Sequence, residues 1–135
     1  MRKKEQLLWD NLKAHATPSM WLQRMENVSA DGFPDVYVGG SGRWIELKAP
    51  SDIPKRPGTP LLGSEGLRTS QKNWHIRNLQ APHAPLSYIL IRTIDRELIL
   101  APGSLAAVIN DLPLAELRAV SLADDWFGIN VAVMS

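Results

Sequence analysis

The 135-residue chain has no cysteine, which excludes disulfides and thiolate metal sites. Its three histidines, His15, His75 and His83, do not fall at zinc-ligand spacing, so a zinc finger or zinc hydrolase fails on ligand count. No apolar run approaches the ~20 residues needed to cross a bilayer. There is no Gly-X-X-X-X-Gly-Lys-Ser/Thr loop to cradle a nucleotide triphosphate and no Gly-X-Ser-X-Gly elbow for serine hydrolysis. Repeats and low-complexity tracts are also missing. Phenylalanine and tyrosine occur twice each, leaving five tryptophans as most of the aromatic content, and these are expected in the core. With 15 Lys and Arg against 14 Asp and Glu, the net charge of +1 gives no bulk electrostatic preference. Only local clustering of charge can indicate a partner.

What remains is ordinary globular composition, 44% hydrophobic and 21% charged, at a length that suits one domain with a real core. The opening residues Met1-Arg2-Lys3-Lys4-Glu5 are charged and lead into an amphipathic stretch rather than a signal-peptide core. Together with the missing cysteines, this leads us to expect a cytoplasmic protein.

The most informative stretch runs from Gly32 to Lys48. Pro34 to Val38 is short, apolar and β-branched and reads as a strand, opened by a proline that needs no ladder donor. Gly39-Gly40-Ser41-Gly42 can reverse the chain, and Trp44 to Leu47 reads as the returning strand. Strand alternation puts Trp44, Glu46 and Lys48 on one face and Ile45 and Leu47 on the other. A hairpin then brings Asp35 close to both Glu46 and Lys48. Two carboxylates supply the hard oxygens that Mg²⁺ or Mn²⁺ prefers. A divalent ion with a lysine beside it can generate hydroxide and stabilise a phosphoryl transition state. The plain alternative is a solvated strand face with an ordinary ion pair, and Asp35 merely starting a turn.

Pro34-Asp35 followed by Glu46-Leu47-Lys48 resembles the signature of the PD-(D/E)XK nuclease superfamily. Within it, the chain is most similar to small stand-alone phage and VRR-NUC-type nucleases and to Holliday-junction-resolvase-like enzymes. Those often follow Glu-X-Lys with a Ser-X-Gln-X-X-Trp-like helix start, and Ser70-Gln71-Lys72-Asn73-Trp74 stands in that place. The resemblance covers about residues 5–93. It implies a restriction-endonuclease-like α/β core, in the order helix, three strands, helix, strand, with a mixed sheet. The core would span about residues 3–93 of a single domain, with a C-terminal α/β extension over about 94–135.

The same resemblance implies a Mg²⁺- or Mn²⁺-dependent DNA endonuclease. Asp35, Glu46 and the Leu47 backbone carbonyl would hold the metal, Lys48 would orient or activate the water, and Gln71 would support it. An additional acid often sits on the first helix or first strand of such proteins, and Glu5 and Glu26 compete for that role. Glu5 also suits a plain helix first turn. Arg24, Lys55, Arg56, Arg68 and Lys72 are the candidate DNA contacts, although each alone suits an ordinary solvated surface. The expected substrate is branched DNA, such as a junction or flap, cut by a monomer or a homodimer. Alternatives are a nonspecific nickase, a single-strand nuclease, or a catalytically idle DNA-binding subunit.

Elsewhere, residues 3–15 carry Glu5, Leu8, Trp9 and Leu12 at helical spacing. Met20 to Val28 is expected as the first strand, and residues 49–66, rich in proline and glycine, as a mobile flap or a disordered loop. A helix from a Thr69 or Ser70 cap to about Gln80 should precede a buried strand at Leu86 to Ile91 and its partner at Glu97 to Leu100. His75 reads as a partly buried structural histidine. Short helices are expected over Gly103–Ile109 and Leu114–Ala119. The apolar tail, Trp126 to Val133, reads as an edge strand or a dimer contact.

Overall fold

The computed structural model describes residues 3–25, 32–83 and 86–135. Helix α1 spans Lys3–His15, as the apolar spacing predicts, and buries Leu8, Trp9 and Leu12. A single 3₁₀ turn at Pro18–Met20 leads into β1, Leu22–Arg24. This strand is shorter than the expected Met20 to Val28, because Met20 belongs to the turn. Residues 26–31 lie outside the described residues.

The hairpin forms as expected. Strand β2, Val36–Val38, pairs antiparallel with β3, Arg43–Lys48, in the register Val36 to Ile45. Helix α2, Thr69–Gln80, then carries the chain across one face to β4, Ser87–Arg92, which lies parallel to β3. Strand β5, Leu98–Pro102, returns antiparallel to β4. The result is an α/β fold with a five-stranded mixed sheet in the order β1-β2-β3-β4-β5, which puts β3 at its centre.

The alternation in β3 divides the core. Ile45 and Leu47 join Val36, Leu90 and Leu100 on the face covered by α1 and the C-terminal helix. On the opposite face, Ile89, Ile91 and Ile99 pack against Leu61, Leu62, Ile109 and Leu117. Glu46 and Lys48 point to this second face, under α2, and both are buried.

Two expectations for the C-terminal residues need correction. Gly103–Ile109 is not one helix but separate 3₁₀ turns at Gly103–Leu105 and Ile109–Asp111. Helix α3 follows at Leu114–Val120, close to expectation. The apolar tail is helix α4, Trp126–Met134, not an edge strand. Asp125 caps it by accepting from the Gly128 N–H at 2.7 Å, and Ile129 and Val133, one turn apart, enter the core. The C-terminal residues are also integral to the sheet layers. The Asn130 side chain donates to the His15 carbonyl at 2.7 Å, and Trp126 stacks on the His15 ring.

The segment after Lys48 is pinned rather than disordered. Leu61 and Leu62 are buried, Pro60 bridges to Pro113, and Glu65 accepts from the Ser51 N–H at 3.0 Å. Among the described residues, no helix is long and apolar enough to cross a membrane.

Candidate active site

The β2–β3 register explains how the two acids meet. Carried one step beyond Val36 and Ile45, it sets Asp35 opposite Glu46, and directly opposed residues of antiparallel strands share a face. Asp35 is held in place from two sides. Its Oδ2 accepts the Leu47 N–H at 2.7 Å, while Arg24 Nη1 lies 3.3 Å from Oδ1 and donates to the Asp35 carbonyl at 2.8 Å. A strand residue turns its N–H and C=O toward the same neighbour, so the Leu47 carbonyl faces the edge where Asp35 sits.

Glu46 is 1% exposed. Burial drives its carboxyl well above the ordinary carboxylate range, and the negative charge of Asp35 and a side-chain hydrogen bond with Asp35 push it further. Lys48 opposes that shift and Glu5 adds to it. Two carboxyls within hydrogen-bonding reach of one another cannot both ionise cheaply without a cation between them. Glu46 Oε1 has no hydrogen-bond partner among the described residues, and Oε2 accepts from Gln71 Nε2 at 3.2 Å.

Gln71 links the site together. Its Oε1 accepts from the Arg68 backbone N–H at 2.9 Å, which closes the first turn of α2, and from Lys48 Nζ at 3.3 Å. Arg68, rather than Thr69 or Ser70, is therefore the residue at the helix cap. One side chain thus ends a helix and joins the lysine to the buried acid.

A cleft of about 680 Å³ opens over these groups, lined by Glu5, Asp35, Lys48, Ser64, Glu65, Gly66, Arg68 and Gln71. Of the two candidate additional acids, Glu5 faces the cleft, whereas Glu26 lies outside the described residues. Arg24 is turned inward to Asp35 instead of outward; its pairing opposite Val36 sets it beside the neighbouring Asp35. Arg68 lines the cleft, and Lys72 stands half-buried beside it on α2. Lys55 and Arg56 are elsewhere, in a separate depression with Leu114, Ala115 and Arg118.

A cluster of rings gathers around Trp44, two residues before Glu46 on β3. Trp44 packs 5.6 Å from Trp74, 5.3 Å from Phe33 and 4.9 Å from Tyr37, centroid to centroid. These half-buried rings engage one another on the face that Trp44 shares with Glu46. Burial also pulls the His75 imidazole down to about 4, against the charge of Asp35.

Gly32 ties the Asp35 loop to α2. It has φ +87°, and a Cβ there would stand 2.3 Å from the Ser70 carbonyl oxygen. Gly32→Ala is therefore expected to destabilise the protein by about 2–4 kcal/mol, combining left-handed strain with overpacking. Urea unfolding of the two proteins measures it; a loss indistinguishable from zero would contradict this packing.

No protein-family model matches the chain, and no curated protein or solved structure matches it either. Among the described residues, no three His, Cys, Asp or Glu side chains gather into a ready-made metal cage. The local donor set is two carboxylates and a backbone carbonyl beside an open cleft. That set suits a hard divalent ion which keeps several waters.

Proposed function

We propose that this chain is a divalent-metal-dependent phosphodiester hydrolase acting on DNA, with a restriction-endonuclease-like core. The observation that carries the reading is the carboxyl pair of Asp35 and Glu46, with Lys48 joined to Glu46 through Gln71 at the head of a polar cleft. A structural ion pair does not need a second carboxylate pressed against a desolvated first one. A metal site does, because the ion relieves the repulsion. Asp35, Glu46 and the Leu47 carbonyl would hold Mg²⁺ or Mn²⁺. When bound, such an ion lowers the pKa of its water and offsets charge on a phosphoryl oxygen.

The protein's own groups do the rest. The ammonium of Lys48, fixed by Gln71 Oε1, can donate to the attacking oxygen or to the phosphoryl oxygens as negative charge builds. Arg24 braces Asp35 through two contacts, one to its carboxylate and one to its backbone carbonyl. Attack by the water oxygen forms the new P–O bond and releases one water proton to solvent, the bond to the leaving sugar oxygen breaks, and that oxygen takes up a proton from solvent. Arg68, which lines the cleft, would meet a backbone phosphate.

Every described element belongs to the one sheet or its covering layers, so the described residues hold no separate base-reading module. Recognition of DNA shape, as at junctions or flaps, suits that economy better than recognition of sequence. Asp35→Ala is expected to abolish Mg²⁺- and Mn²⁺-dependent cleavage while the circular dichroism spectrum stays that of the wild type. Retained cleavage by the folded variant would sink the proposal.

A further inference from the structure

His75 lies beneath the site, one turn along α2 from Gln71, with its side chain wholly buried. Its Nδ1 is 2.8 Å from Ser87 Oγ. Its Nε2 has no hydrogen-bond partner among the described residues and stands 3.8 Å from Glu46 Oε1, which has none either. Two buried polar atoms, both unmatched and 3.8 Å apart, are costly to leave unpaired. The gap exceeds an ordinary hydrogen bond by about 0.8 Å and is too narrow for a bridging water. A small rotation of either side chain closes it, and such bonds commonly tighten when a site is loaded.

The tautomer follows from the neighbours. With Glu46 ionised, as a bound divalent ion requires, a lone pair on Nε2 would face a carboxylate oxygen and repel it, whereas an Nε2–H attracts it. With the proton on Nε2, Nδ1 must accept, and the Ser87 hydroxyl can donate to it. Gly103 makes room for this arrangement. A Cβ at that position would lie 2.0 Å from Ser87 Oγ and 3.1 Å from His75 Nδ1. Ser87 reaches the histidine because the parallel register sets it opposite Trp44, two residues before Glu46.

We infer that His75 is a positioning residue for Glu46: held by Ser87 as the Nε2–H tautomer, it donates to Glu46 Oε1 and fixes the carboxylate for divalent-metal binding. The inference rests on the hydrolase reading above. Outer hydrogen bonds of this kind are worth about 10–100-fold in metal affinity. The site itself stays chemically hard, because the histidine acts through the acid.

The test is Mn²⁺ affinity of the free protein, read by electron paramagnetic resonance, in wild type, His75→Leu and His75→Gln. Glutamine keeps an N–H near the Nε2 position and leucine does not. The expected result is binding weakened about tenfold or more in His75→Leu and close to wild type in His75→Gln. Long-range ¹H–¹⁵N spectra of the wild-type imidazoles in saturating Mg²⁺ should show His75 as the Nε2–H tautomer, a readout that packing alone does not fix. Unchanged affinity in His75→Leu, equal loss in both variants, or an Nδ1–H tautomer would overturn the inference while the hydrolase reading stands. Absence of Mn²⁺ binding by the wild type would remove both. If His75→Leu fails to fold, the wild-type tautomer decides alone.

Discussion

Glu46→Gln is expected to lose metal-dependent cleavage by about 10³-fold or more, because it removes several kcal/mol of charge stabilisation at the metal. The same substitution should make the metal-free protein more stable at neutral pH. Burial and Asp35 raise the native Glu46 carboxyl above its unfolded value. The native state therefore retains a proton that the unfolded chain releases. The stability tied to that proton is complete below the unfolded pKa of about 4.5 and is lost as pH rises through the higher native value. An amide cannot ionise, and its N–H can donate to Asp35. Across that window, denaturant midpoints should fall with rising pH in metal-free wild type and much less in the variant. Mg²⁺ should restore the wild type at neutral pH and leave the variant unmoved. Parallel pH profiles for the two proteins would contradict the assignment.

The second large effect is expected at Lys48. Lys48→Ala should lower kcat by about 10²–10³-fold at saturating metal, the usual loss when one preorganised donor to a developing charge is removed. Lys48 is 7% exposed and bonded to Gln71, so its ammonium is held in place before substrate arrives. The substitution also removes a cation that favours ionised Glu46, which weakens the metal and obliges the assay to be run at several Mg²⁺ concentrations. A donor role predicts that the loss in kcat persists at saturation while KM for DNA changes little. Full recovery at high Mg²⁺ would instead make Lys48 only an electrostatic partner of Glu46.

The sequence is most legible where periodicity and turn chemistry agree. Leu8, Trp9 and Leu12 at helical spacing gave α1, and the glycine turn between two β-branched runs gave the hairpin and the shared face of Glu46 and Lys48. The tail misled because Ile129, Val131 and Val133 alternate like a strand while the segment is apolar all round. The Asp125 cap and the burial of Ile129 and Val133 on one helical face decide for α4. In the proline-rich stretch, the weight of proline and glycine hid the Leu61-Leu62 anchor that pins it. Long-range partners were beyond local pattern. Ser87 meets His75 only through the parallel register, and Arg24 meets Asp35 only through the pairing of β1 with β2. Each carries a functional group that is ordinary in sequence and becomes specific in the fold.

The most direct measurement is cleavage of labelled four-way junction, flap, duplex and single-stranded DNA by the wild-type protein in Mg²⁺ and Mn²⁺, with EDTA and Asp35→Ala as controls. Cutting should require metal, disappear in EDTA and in the variant, and favour branched DNA. No cutting of any substrate in either metal by a folded wild-type protein would contradict it.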